Sequence, residues 1–430
     1  VPDGPVADII SSGRDPGRQP ARWPRLASGM AALLIAAGVA AHLILGGTGR
    51  PAQRQGQGPA LSQALAAPAM LHGTPLRAGA VPSTLLFLGG DRLRLLAVRD
   101  RATVSLTDVV LAAGRARSPL GPDAAVQQII SAAGGVVALI SSPGQAGLRD
   151  TGDVVFVPVS AAGAGTARII AQANYLALAP DQRDIWVEQA GPPWGNGPAA
   201  SPAWLIDEAG RRLSAPRGLP GRALVAATVR GLLVQGSFGE VSLVNPASGR
   251  PERTSIPADA VIAGADADHV AWRAASCPAH CPLHVADVRG GPGIQIALPP
   301  HTALDPADTP DFDPAGQRFA LPLDTLNSQG TATGTYIYVA DIKARTLIRL
   351  PGGPVPVAGL PAVLGAFPAG SSDVVCARWA ADGSGLWIVA TDGLFAQAGF
   401  WTGSGPLHVL KPQAGLAYKF DVPGAGTAGR

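Results

Sequence analysis

VVCARWAADGSGLWIVAT, residues 374–391, decides how the rest of the chain reads. Two apolar runs rich in Val, Ile and Trp flank a short polar centre, and each run is too brief for a helix of ordinary length. Asp382 stands where a short acidic side chain can accept hydrogen bonds from turn amides, and Gly383 permits a tight reversal. The stretch therefore predicts two antiparallel strands joined by an Asp-stabilised turn. Cys376, alone in its apolar run, reads as a small buried hydrophobe.

The same grammar recurs along the chain. Units begin at residue 83 (STLLFLGGDRLRLLAV), 134 (GGVVALISS), 174 (NYLALAPDQRDIWVEQ), 230 (RGLLVQGSFGEVSLVN), 268 (DHVAWRAASCPAHCPLHVADV), 310 (PDFDPAGQRFALPL) and 374. Several carry a third strand ending in a polar turn, as in YIYVADIKARTLIRLP (336–351) and PLHVADVRGGPGIQIALP (282–299). A spacing of about 40 to 50 residues without helices is the signature of four-stranded antiparallel blades arranged in a ring. The fold class expected is all-β, a seven-bladed β-propeller, with eight blades as the alternative. LAYKFDV, residues 416–422, follows the last complete unit and is expected to supply a strand to the first blade, so that the ring does not end in open sheet edges.

The segments LALAPDQRDIWV (176–187), DFDPAGQRFAL (311–321) and RWAADGSGLWIV (378–389) resemble the strand, Asp-turn, strand pattern of WD-repeat-like propellers, including the periplasmic propeller of the Tol system and its bacterial relatives. The resemblance implies a propeller over residues 83–423. Asp181, Asp313 and Asp382 read as turn makers within it, with Gly316 beside the second.

Ahead of the repeats lies LASGMAALLIAAGVAAHLILGGTG, residues 26–49, uncharged and bounded by Arg25 and Arg50. As a helix it would cover roughly 36 Å, enough for a hydrocarbon core of about 30 Å. Arg14, Arg18, Arg22 and Arg25 crowd its N-terminal side, which the positive-inside bias places in the cytoplasm. The competing reading is a cleaved signal peptide, although its apolar run would be unusually long and the nearest small-residue site, at Ala64 and Ala66, lies well past it. The expected organisation is a cytoplasmic tail at 1–25, a transmembrane helix at 26–47 in the lipid bilayer, a linker at 48–77 and an extracytoplasmic propeller at 78–430. Localisation is then the cell membrane, single-pass.

Charge and composition narrow the function. The formal net charge is +3, and the arginines of the first 54 residues account for more than that excess, so nothing suggests a nucleic-acid surface. Cys277 and Cys281 in SCPAHCPLH predict a disulfide outside the cytoplasm. A metal site with His280 and His284, or two free thiols, are the alternatives. Asp305, Asp308, Asp311 and Asp313 read as turn formers, with a calcium site as the alternative. No cofactor is expected, and the chain contains no GxSxG, HExxH or P-loop. Trp194 and Trp204, in the long insertion AGPPWGNGPAASPAW, are the candidate ligand-binding residues, with packing inside a blade as the other reading. The function expected is a noncatalytic membrane protein whose propeller binds a protein or cell-envelope ligand. The alternatives are a hydrolase or lyase acting on a glycan, and a signal transducer, which would need a membrane partner because its cytoplasmic tail is short.

Overall fold

The computed structural model describes residues 70–423 except 78–83, 90–92, 99–103, 114–115, 120–124, 142–150, 161–162, 190–199, 221, 237–239, 259, 275–281, 289–292, 305–310, 330, 357–374, 392–394, 415–418 and 422. Every regular element among them is a strand. No helix among the described residues is long and apolar enough to cross a membrane, and the expected span at 26–47 lies outside them.

Consecutive stretches of chain fold into antiparallel sheets of four to six strands. Sheet 1 contains Thr84–Gly89, Leu93–Val98 and Val104–Asp108. Sheet 2 contains Ala125–Ala132, Gly135–Ser141, Gly152–Ser160 and Arg168–Ala173, with the short strand Gly163–Ala164 also on Gly152–Ser160. Sheet 3 runs Tyr175–Leu178, Ile185–Glu188, Ala200–Ile206, Arg217–Pro220, and sheet 4 Arg222–Thr228, Gly231–Gly236, Val241–Val244, Pro251–Arg253. Sheet 5 runs Ala260–Ala265, His269–Ala274, Leu283–Asp287, Ile294–Ile296. Sheet 6 is built on the long hairpin Arg318–Leu326 and Ala332–Asp341, with Thr302–Leu304 and Asp311–Phe312 on one side and Thr346–Arg349 and Val355–Pro356 on the other. Sheet 7 contains Val375–Trp379, Leu386–Thr391, Phe395–Trp401 and His408–Val409, with Gln413–Ala414 also pairing with Phe395–Trp401. A separate hairpin, Val110–Ala113 with Ala116–Pro119, follows sheet 1.

Strand periodicity explains how the sheets hold one another. Alternate residues of a strand face opposite ways, so a strand sandwiched between two neighbours is apolar throughout. All of Leu386–Thr391 is buried. Trp387 and Val389 pack with Leu86, Leu88, Leu96 and Val98 of sheet 1, whereas Leu386 and Ile388 pack with Ala320, Ile337 and Val339 of sheet 6. Each remaining neighbouring pair shares its own apolar cluster. Phe87 joins sheet 1 to Val136 and Val155 of sheet 2, and Phe156 joins sheet 2 to Ile185 and Trp204 of sheet 3. Trp186 meets Leu224 and Val234, Leu243 meets Val270 and Trp272, and Ala271 and Val285 meet Phe319 and Leu321. Sheet therefore packs on sheet in a closed cycle, and the described residues form an all-β propeller.

Closure occurs where the sequence predicts it. Lys419–Asp421 pairs antiparallel with Phe87–Gly89, so the C-terminal segment completes the first sheet. Residues 70–76, which the sequence assigns to the linker, are also built into the fold. Thr74–Pro75 pairs in parallel with His408–Val409 on the outer edge of sheet 7, and Met70 and Leu71 are buried.

Candidate binding surfaces

Because strands alternate in direction, the connections divide between two ends of the propeller. Turns between first and second strands lie at one end, the turn end; connections between second and third strands, and from sheet to sheet, lie at the other, the loop end.

At the turn end the expected aspartates do what their spacing requires. Asp181 Oδ1 accepts from the amides of Arg183 and Asp184, each at 2.9 Å. Asp313 Oδ1 accepts from Gln317 N at 2.7 Å and Arg318 N at 2.9 Å, while Asp382 Oδ1 accepts from Ser384 N at 2.9 Å. Gly316 and Gly383 adopt φ of 63° and 71°, where a side chain would be strained. Asp266 caps the equivalent turn of sheet 5 and also faces His269, whose Nδ1 lies 3.4 Å from its Oδ2. That hydrogen bond raises the His269 pKa from its ordinary value, against the opposing effect of burial. The imidazole stacks on Phe312 of sheet 6 at 5.5 Å. Between sheets 3 and 4 lies an open depression of about 260 Å³, bordered by Pro180, Trp186, Val229, Arg230 and Pro246.

At the loop end, polar side chains reach from one sheet to the backbone of the next. Gln128 of sheet 2 accepts from Leu176 N at 2.9 Å and donates to Leu176 O at 3.4 Å. Glu188, 1% exposed, accepts from Leu224 N at 3.1 Å. Tyr175 donates to Val225 O at 3.0 Å, and Gln235 donates to Ala260 O at 2.9 Å. The first strands of sheets 2, 4 and 5 carry bulges at Val126/Gln128, Leu224/Ala226 and Ile262/Gly264. A bulge locally interrupts the ladder and re-aims the backbone. The sequence carries no signal for these clamps: Gln128 stands beside Gln127 in AVQQIISA, and no periodicity tells which of the two reaches the next sheet.

The predicted site residues fall as follows. Trp204 sits opposite Val187 in sheet 3, is 8% exposed, and has the Arg212 guanidinium 4.8 Å above its ring. Trp194 lies outside the described residues, in the connection between the second and third strands of sheet 3. The strand ends it joins, at Glu188 and Ala200, stand at the loop end. Cys277 and Cys281 also lie outside the described residues, between the second and third strands of sheet 5. Their neighbour His284 stacks on Trp272 at 5.4 Å. Cys376 is 2% exposed in the cluster between sheets 7 and 1. Of the four aspartates weighed for calcium, Asp311 accepts from Trp379 N at 2.7 Å, Asp313 is the cap already described, and Asp305 and Asp308 lie outside the described residues. Glu208 forms an ion pair with Arg183 at 3.9 Å, and Glu252 with Arg230 at 3.1 Å.

No family model and no curated protein matches this chain. Among solved structures it is similar to TolB from Acinetobacter baumannii, with 14% identity over 64% of this chain and 65% of that one and a TM-score of 0.38. It is also similar to puromycin hydrolase, with 17% identity over 74% and 50% and a TM-score of 0.44. A third is the β-propeller domain of the Trilobed protease from Pyrococcus furiosus, with 12% identity over 69% and 85% and a TM-score of 0.41. The chain spans less than two thirds of the first and half of the second. At these identities the likeness concerns fold alone, and the propeller assignment rests on the sheets and their packing.

Proposed function

We propose that the chain is a noncatalytic, single-pass membrane protein whose propeller, with the seven sheets as its blades, binds a protein or cell-envelope ligand at its loop end. The supporting observation is the use of polar groups there. Gln128, Tyr175, Glu188 and Gln235 tie sheet to sheet, which makes that end of the propeller a stiff platform for binding. The connection carrying Trp194 leaves that platform beside Glu188, and an aromatic anchor on a rigid support is an efficient contact. The uncharged span at 26–47 would hold the propeller outside the cytoplasm.

Two measurements test this reading on the full chain. Without protease the full chain should stay in the membrane fraction, and protease added to spheroplasts should cut the propeller from its anchor; a chain left uncut at residues 48–69 would refute the orientation. Cross-linking in intact cells should join the propeller to envelope material, and Trp194→Ala should weaken that capture without lowering the melting temperature. Capture unaffected by this change would move the contact elsewhere.

A further inference from the structure

Residues 70–76 run along the rim between sheets 6 and 7, with Met70 and Leu71 buried in a groove there and residues 72–75 exposed above sheet 7. Met70 N and Leu71 N both donate to Gln397 Oε1 at 2.8 Å. Gln397 is 3% exposed, and its Nε2 donates to Leu410 O at 2.9 Å, so its orientation is set from within sheet 7. Thr74 N donates to Leu407 O at 2.9 Å and Leu76 N to Val409 O at 2.8 Å, continuing a parallel strand. The Met70 and Leu71 side chains pack among Ile337, Leu350, Val355, Ile388 and Leu407. Glycines keep the path clear. A Cβ at Gly353 would come within 2.9 Å of the His72 ring, and one at Gly399 within 3.2 Å of Leu71.

The cycle of packed sheets closes without this strap. The C-terminal strand completes sheet 1; Met70 and Leu71 of the strap belong to the apolar cluster between sheets 6 and 7, and Leu76 packs at the margin of the one between sheets 7 and 1. Its departure would leave an apolar slot, a buried amide oxygen and the outer backbone of His408–Val409 without their partners. Each of these costs free energy unless refilled.

We propose that this groove is a strand-acceptor site, occupied in cis by residues 70–76, that takes an extended peptide with two adjacent apolar side chains in trans when the strap is displaced. Recognition combines parallel main-chain pairing with a side-chain slot, the combination by which sheet edges bind peptides. The Gln397 amide sets register, because its oxygen meets two consecutive backbone donors.

The test uses the full chain carrying Met70→Asp and Leu71→Asp, which expels the strap, and a fluorescent peptide of sequence APAMLHGTPLR, residues 67–77. Anisotropy should show saturable binding to this variant and at least about tenfold weaker binding to the wild-type chain, a difference near 1.4 kcal/mol. Adding Gln397→Ala should abolish the signal. Equal binding to all three chains would overturn the proposal. So would no binding to a strapless variant that retains its β circular dichroism, or failure of that variant to fold, since separability of the strap is part of the claim.

Discussion

At the residue scale, the turn aspartates differ in what they hold. Asp313 is buried and accepts from two amides and from Arg318 Nε at 3.1 Å, and Arg318 in turn lies 4.5 Å over the Trp379 ring. Asp382 is exposed and accepts from Ser384 N. Asp313→Ala should cost about 2–3 kcal/mol in urea unfolding and Asp382→Ala about 0.5–1 kcal/mol. His269 supplies a pH dependence. Its folded pKa lies above the ordinary value of 6.5, so its contribution to stability is fully present below about pH 6.5 and is lost as pH rises through the folded value. The carboxylates of Asp266, Asp287 and Asp268 all act to raise it. Asp266→Asn, which keeps an oxygen for the turn amides, should lower the His269 titration midpoint measured by NMR. An unchanged midpoint would show that Asp266 does not control it.

At the element scale, the sheet-to-sheet clamps are separable from the apolar clusters beneath them. Gln128→Ala removes both bonds to Leu176 and should destabilise by about 1–2 kcal/mol, with a lower denaturation midpoint and an unchanged slope. A changed slope would mean that the native packing itself had loosened. The hairpins around Asp181, Asp313 and Asp382 were legible in the sequence because an apolar run, an acidic turn and a second apolar run lie close together. Elsewhere the reading began one strand late. The units taken to start at 134, 230 and 268 begin instead with Ala125–Ala132, Arg222–Thr228 and Ala260–Ala265. Those first strands, AVQQIISA, RALVAAT and AVIAGA, mix alanine, glycine and polar residues with the aliphatic ones and contain the bulges, which break the period of two; their alternation is correspondingly weak. The strap was read as linker for a related reason. MLHGTPL has turn formers and no period, and its burial is supplied wholly by sheets distant in sequence. Trp204 shows the same limit from the other side, as composition alone does not reveal which tryptophan a neighbouring arginine covers.

At the scale of the whole molecule, the propeller is stitched by its ends. Ending the chain at residue 414 deletes the strand that pairs with Phe87–Gly89, leaving sheet 1 with an open inner edge. This truncation should lower the calorimetric melting temperature and replace one transition by a broader one, because opening a cycle of packed sheets lets them separate from the break. A single sharp transition at the original temperature would show that the terminal strand is dispensable.

The position of that strand also governs timing during synthesis. Phe87–Gly89 is made early in the propeller, and its partner, Lys419–Asp421, only after the strands of every other sheet. Until that strand emerges the first sheet waits incomplete, with donors and acceptors that any passing strand can engage. A chain stopped at residue 414 therefore carries every other sheet yet leaves the first unfinished. Pulse proteolysis of chains stalled before and beyond residue 421 should reveal this as resistance acquired abruptly once that strand is out rather than sheet by sheet.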